Sequence, residues 1–202
     1  NNIDYSRPSR QAPDAYHHCE RVANVCAGAA WKAWNTLWES DFQDDVPLAA
    51  ALELVELTPY RPTATQLAEA RAYLAAHQPE ENLMAWAYAR EHLLMEHGPQ
   101  RLELPLQALR LGETGLIGLP GEVFAEIGLE IKARSPFAQT VTVGLANDSV
   151  GYVAPDHQLE WGGYECTLCR HVVAPKGTAQ NWTATAVRLL EQVAGAPVAA
   201  QG

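Results

Sequence analysis

Three blocks of this chain each set an oxygen-bearing side chain beside a glycine-marked turn. They are Leu-Ile-Gly-Leu-Pro-Gly-Glu (116–122), Gly-Leu-Ala-Asn-Asp-Ser-Val-Gly-Tyr-Val (144–153) and Gly-Gly-Tyr-Glu (162–165). The groups on offer are the Glu122 carboxylate and the Tyr152 and Tyr164 phenols. Each block reads as a strand or strand end entering a turn, which is where α/β proteins often build sites. Oxygen donors gathered there point to metal-assisted hydrolysis, with part of the ligand set missing. A plainer reading stands beside it. Glu122 follows Pro-Gly at a strand-to-helix junction, where a carboxylate also serves as a favourable charge at a helix N-terminus. Asn147 and Asp148 can simply satisfy backbone donors of their turn.

The elements that must position these groups follow from periodicity. Residues 1–13 are polar, with two prolines, and read as an extended segment. Asp14 can cap a helix running to about Trp38, with Ala15, Cys19, Val22, Cys26, Ala29 and Ala33 on one face. His17 and His18 are adjacent in its first turns, point about 100° apart, and read as surface residues. Residues 50–58 read as a strand with Leu52, Leu54 and Leu57 as its apolar positions. Thr63 or Thr65 then opens a helix to about Ala76, and a second helix runs from about Glu80 to His97, stopped by Gly98-Pro99. These two form a helical hairpin whose Met, Trp and Leu positions serve packing.

Residues 101–110 alternate apolar and polar as a half-buried strand should. Gly112-Glu-Thr marks a hairpin turn, and 115–119 is a short apolar strand. After Pro120-Gly121 a helix is expected with Val123, Phe124, Ile127 and Ile131 on one face, ended by Pro136. Residues 140–145 read as a strand buried on both sides, as a central strand is. Strand, helix and strand in this order imply a right-handed crossover. A last helix spans about Ala179 to Val193, followed by a frayed tail. The neighbouring strand ends bring Glu122 and Tyr152 within reach of each other. The fold class is α/β, a mixed sheet flanked by helices with a helical hairpin. The 202 residues are taken as one unit, mainly helical over 1–98 and α/β over 99–202.

Composition bounds the function. The chain is 48% hydrophobic and 19% charged, an ordinary globular balance. Its formal net charge of −10 argues against nucleic acid or an anionic membrane as main partner. No stretch is long and apolar enough for a transmembrane segment. The chain begins with Asn1 and carries no signal-peptide pattern, so it reads as a processed product or a subunit. Cys19 and Cys26 lie seven apart on one helical face and read as buried thiols. Cys166-Thr-Leu-Cys169, followed by His171, can be a redox pair, a strained disulfide, half of a zinc knuckle or plain thiols. Asn147-Asp-Ser and Asn181-Trp-Thr match the glycosylation sequon, a pattern common by chance. Trp161 can form a substrate wall or pack in the core or rim.

Taken together, Leu-Pro-Gly-Glu, then Gly-Leu-x-Asn-x-x-x-x-Tyr, then Tyr-Glu resembles the later half of the neutral ceramidase catalytic domain and its bacterial ceramidase-like relatives. The resemblance is closest over 101–170 and looser over the helical hairpin and first helix. It implies that this chain is half of a larger catalytic domain, and that zinc activates a water for attack on a carboxamide. In that family zinc is held by two histidines from the earlier part of the domain, a glutamate that falls on Glu122 and a tyrosine that falls on Tyr152. Tyr164 matches a position lining or supporting the site. The family histidines have no counterpart among the histidines here, which all lie outside the matching motifs. Asn1-Asn2-Ile3-Asp4 aligns near the loop that carries a serine in ceramidases, with asparagine in its place. The resemblance therefore implies either an N-terminal chain of the same precursor, cleaved before Asn1, as the source of two histidine ligands, or a sequence start that is only a boundary, in which case this chain alone cannot hold the family's zinc. The Asn1 α-amino group would lie near the metal as a base or a binder of a substrate carboxylate. The substrate implied is a small amide or N-acyl compound, and the compartment secreted or periplasmic.

Two other classes compete with this hydrolase. One is a non-catalytic α/β subunit that binds a partner or lipid. The other is a C-x-x-C redox module, for which the usual strand leading to C-x-x-C at a helix start is missing.

Overall fold

A computed structural model describes residues 16–196, so the Asn1–Asp4 segment, the Asp14 cap, Ala15 and the end of the tail lie outside the described residues. The chain divides into two compact units, Asn1–Asp45 and Val46–Gly202.

The first unit holds one long helix, α1 (His17–Asn35), shorter at its C-terminus than the sequence pattern suggests. None of its residues is buried. Cys19 and Cys26 are exposed free thiols, which corrects the expectation of buried ones. The four-and-three spacing does put them on one face, but among the described residues of this unit nothing covers that face. His17 and His18 are exposed, as expected.

The second unit is built on a four-stranded mixed sheet of β1 (Leu48–Leu57), β2 (Leu102–Leu111), β3 (Thr114–Gly118) and β5 (Gln139–Val143), in the order β1-β2-β3-β5. β1 and β2 pair antiparallel along their full length, Leu48 opposite Leu111 and Leu57 opposite Leu102. A hairpin joins β2 to β3, turning at Gly112 with φ +60°. β3 and β5 run parallel, joined through α4 (Ala125–Arg134). A second, two-stranded parallel sheet pairs β4 (Glu122–Val123) with β6 (Tyr152–Val153).

One face of the large sheet is the core. Ala51, Val55 and Leu57 of β1 and Leu104, Leu106 and Ala108 of β2 are buried there with Ile117. The helix covering them is α6 (Thr178–Ala194), whose Trp182, Ala186, Leu189, Leu190 and Val193 are essentially solvent-free. The glutamate of β1 that falls on this face, Glu53, is met by Arg188 of α6 at 2.6 Å.

The opposite face is apolar and open. Leu52 and Leu54, expected among the packing positions of β1, turn outward and are 55% and 57% exposed. Side chains alternate along a strand, so Leu54 and Leu57 cannot share a face. Once Val55 and Leu57 go inward, Leu52 and Leu54 face out. Leu109 and Leu111 of β2, and Val141 and Val143 of β5, emerge on the same side. The expectation of a doubly buried central strand at 140–145 is likewise corrected. β5 pairs only with β3 among the described residues, and its valines are exposed. Its β-branched run reports strand formation, not coverage.

The helical hairpin is α2 (Ala64–Ala76) and α3 (Leu83–Met95). Thr63 caps α2 reciprocally with Gln66, each side chain accepting the other's backbone N–H. Thr63→Ala should lower stability by about 1 kcal/mol in urea unfolding, the usual worth of such a cap. The C-terminus of α3 is closed by Arg61. Its guanidinium donates to the carbonyls of Met95 (3.1 Å), Glu96 (3.3 Å), Gly98 and Pro99, satisfying oxygens the helix leaves unpaired.

Candidate functional site

The Pro120-Gly121 break does not lead straight into a helix. Glu122 and Val123 form β4, Phe124 is the N-cap residue, and α4 starts only at Ala125. Val123 and Phe124 are thus not helical, and Glu122 lies outside the first turn of α4. Two strand residues are too few to register as periodicity beside a long apolar helical face.

β4 is locked between two returns of the chain. The Glu122 N–H donates to the Gly151 carbonyl at 2.8 Å, and the Phe124 N–H to the Val153 carbonyl at 3.1 Å. Upstream, the Leu145 N–H donates to the Gly121 carbonyl at 3.0 Å and the Val150 N–H to that of Pro120 at 2.9 Å. The turn between β5 and β6 is strained. Leu145 and Asn147 adopt φ +56° and +68°, conformations that side chains other than glycine seldom take. Asn147 is held there by donating from Nδ2 to Gln107 Oε1 at 3.2 Å.

Glu122 and Tyr152 are direct partners in the parallel pair. As Cα partners their side chains project from the same side of the small sheet, close enough for the Glu122 charge to act on the Tyr152 phenol. Desolvation first, then the charge and hydrogen bond of Glu122, hold the Tyr152 phenol above its ordinary pKa. Tyr164, in a short 3-10 turn, meets Tyr152 edge to face with ring centroids 5.9 Å apart and is 62% exposed. Asn1 lies outside the described residues.

An open groove of about 490 Å³ starts at Glu122 and runs between α4 and the end of β5. Phe124, Leu129 and Leu145 give it apolar walls, and Lys132 lies on its lining. On the far side of the tyrosines stands α3. Tyr88 is half-buried, and desolvation, with Cys169 and Tyr164 as its next neighbours, pushes its phenol up. Three residues on, Glu91 accepts from Arg170 at 2.8 and 2.7 Å in a two-pronged contact and also from the Arg170 backbone N–H at 3.2 Å. Sequence reasoning treated this hairpin as packing. The i, i+3 spacing of Tyr88 and Glu91 on one helix face was the available signal.

Hydrogen bonding to Arg170 holds the Glu91 carboxyl below its ordinary pKa, against the opposing effect of burial. The stabilisation is thus present above the unfolded carboxylate's pKa and is lost as pH falls through the depressed folded value. Arg170 is over half exposed, so solvent screening keeps the pair's contribution small. Glu91→Gln should lower the urea midpoint slightly at pH 7, and the gap to the parent should close in strong acid.

The C-x-x-C motif holds two half-buried free thiols. Burial first, then the Glu165 charge, raise the Cys166 pKa, and its Sγ donates to the Gln158 carbonyl at 3.4 Å. A thiol held protonated is a poor redox nucleophile. Trp161 is 76% exposed at the end of α5 (Asp156–Trp161), edge-on to His157, which excludes its core reading. His157 itself sits 3.3 Å from Glu126 of α4.

No protein-family model and no curated protein matches this chain. Among solved structures it is similar to the neutral ceramidase of Pseudomonas aeruginosa, at 18% identity and a TM-score of 0.49, over 77% of this chain and 30% of that one. It is also similar to a ceramidase solved in complex with C2, at 16% identity and a TM-score of 0.48, over 77% of this chain and 31% of that one. The chain thus spans under a third of the length of either protein.

Proposed function

We propose that this chain is part of a zinc-dependent hydrolase that cleaves a carboxamide bond of a small N-acyl substrate. The observation carrying the reading is the in-register pairing of Glu122 with Tyr152, which converges a carboxylate and a phenol on one side of a two-stranded sheet. Two such oxygens suit half of a four-coordinate zinc site. Among the described residues no cluster of three or more His, Cys, Asp or Glu side chains could hold a metal, and we propose that the remaining ligands are supplied by another segment. In the family resembled these are two histidines, and an N-terminal chain of the same precursor is their proposed source.

Zinc bound there would supply a polarising charge and an activated water. Glu122 would fix the metal side of the site, held by backbone bonds on both flanks. Tyr152 would hold the metal through its phenol oxygen beside Glu122. Tyr164 would steer the amide from the exposed edge of Tyr152. The groove walls at Phe124, Leu129 and Leu145 suit the apolar part of an N-acyl group.

The test is to purify the native particle, measure its intact masses and zinc content, and assay hydrolysis of N-acyl amides of graded chain length before and after chelation. Zinc at one per particle, with hydrolysis lost on chelation and restored by zinc, is expected. A zinc-free particle that hydrolyses none of these amides even after zinc is added would favour the non-catalytic scaffold.

A further inference from the structure

The return of the chain at 169–173 decides where Tyr152 sits. The His171 carbonyl accepts the Tyr152 N–H at 2.9 Å, and Val172 bridges both Gly151 and Cys169 antiparallel. Gly151 lies against the His171 backbone with no room for a side chain. A shift of this return therefore moves the residue that follows Gly151, which is Tyr152. β6 pairs with β4 over two residues only, so little other ladder resists that shift.

On its other side the return is held by the hairpin region. The Tyr60 N–H donates to the Val173 carbonyl at 2.7 Å. Glu91 of α3 takes hold one residue before His171. Its Oε2 accepts from the Arg170 N–H at 3.2 Å and from Nε at 2.8 Å, and its Oε1 accepts from Nη2 at 2.7 Å. An exposed pair of side-chain ends contributes little. This carboxylate binds the main chain as well as the guanidinium. Its side chain is 18% exposed, the least of any carboxylate in the ion pairs among the described residues. We infer that Glu91 is a positioning residue for Tyr152: it fixes the 169–172 return through the side chain and main chain of Arg170, and that return sets Tyr152 opposite Glu122. Glu91 acts through Arg170 and the His171 carbonyl, and it gives the helical hairpin a part in the site besides packing. For its effect on metal the inference rests on the reading of Glu122 and Tyr152 as zinc ligands; its effect on register does not. Supporting groups of this kind keep metal ligands in place.

The test compares the native particle with Glu91→Ala and with Glu53→Ala, which removes the carboxylate of a separate ion pair, that with Arg188 of α6. Amide hydrogen exchange is followed by mass spectrometry on peptides covering 150–154, 169–173 and, as the measure of global unfolding, β2. Glu91→Ala should speed exchange of the Tyr152 and Val172 amides at least about 10-fold while β2 keeps the parental rate. Glu53→Ala should leave both of those amides at the parental rate. Glu91→Gln, which keeps an acceptor for the Arg170 N–H, should fall between the parent and Glu91→Ala. Zinc affinity by equilibrium dialysis should drop about 10-fold in Glu91→Ala, the low end for groups that support ligands. Exchange at Tyr152 that stays parental, or that rises only in step with β2, would overturn the inference. So would parental zinc affinity in a Glu91→Ala protein whose Tyr152 amide exchanges faster. A parent particle that binds no zinc sinks the hydrolase reading alone, and the exchange rates then decide the register role by themselves.

Discussion

Gly151→Ala is expected to unfold or cripple this protein at a position that carries no functional side chain. Gly151 has φ +77°, and a methyl built on it would lie 2.0 Å from the His171 carbonyl oxygen. That oxygen cannot swing away cheaply, because it accepts the Tyr152 N–H at 2.9 Å while Gly151 bridges Val172 antiparallel. Left-handed strain and a backbone collision together should cost about 3–5 kcal/mol. Any molecules that still fold must push the 169–172 segment outward, carrying Tyr152 away from Glu122. Urea unfolding should show the stability loss, and the folded remainder should bind zinc more weakly than the parent. A variant as stable as the parent would mean that this bridge is absent in solution.

On the proposed zinc reading, Glu122→Gln should act in the opposite manner, sparing the fold and weakening the metal. Glu122 is exposed, and its backbone bonds do not depend on the side chain. Glutamine has the same shape at this exposed position, so unfolding in the absence of metal should shift by less than about 0.5 kcal/mol. It offers zinc a neutral amide in place of an anion. Groups that merely support metal ligands cost 10–100-fold when removed, so loss of a ligand should weaken zinc at least about 100-fold. Equilibrium dialysis of the native particle against zinc buffers reads the affinity, and N-acyl amide hydrolysis should fall with it. Unchanged affinity would remove Glu122 from the ligand set.

Much of the scaffold was legible in the sequence. Alternation drew β2, the Gly112 turn drew the hairpin, and Thr63 and Gly98 bounded the helical pair. What escaped has physical causes. The two-residue strand at Glu122 is set by hydrogen bonds to Gly151 and Val153, which no local pattern records. β1 carries apolar residues on both sides, so composition alone did not say that Ala51 and Val55 go in while Leu52 and Leu54 stay out. The exposed Cys19 and Cys26 show that an apolar stripe predicts a face, not its cover. Tyr88 and Glu91 meet the 164–170 segment only through tertiary contact. The left-handed backbone at Leu145 and Asn147 left no trace in a turn that any asparagine could have made with ordinary angles.

The pairing of β1 with β2 also sets an order for folding. The β2–β3 hairpin closes across the short Gly112 turn, whereas β1 must find β2 across the whole α2–α3 hairpin. Loop-closure entropy favours the local pair, and α2 and α3 contribute their own local contacts. The ten-residue β1–β2 ladder therefore forms on a hairpin already made. Until it does, β2 presents an unpaired edge as well as an apolar face. The slowest step in assembly is thus also the one during which the chain is most exposed to wrong partners.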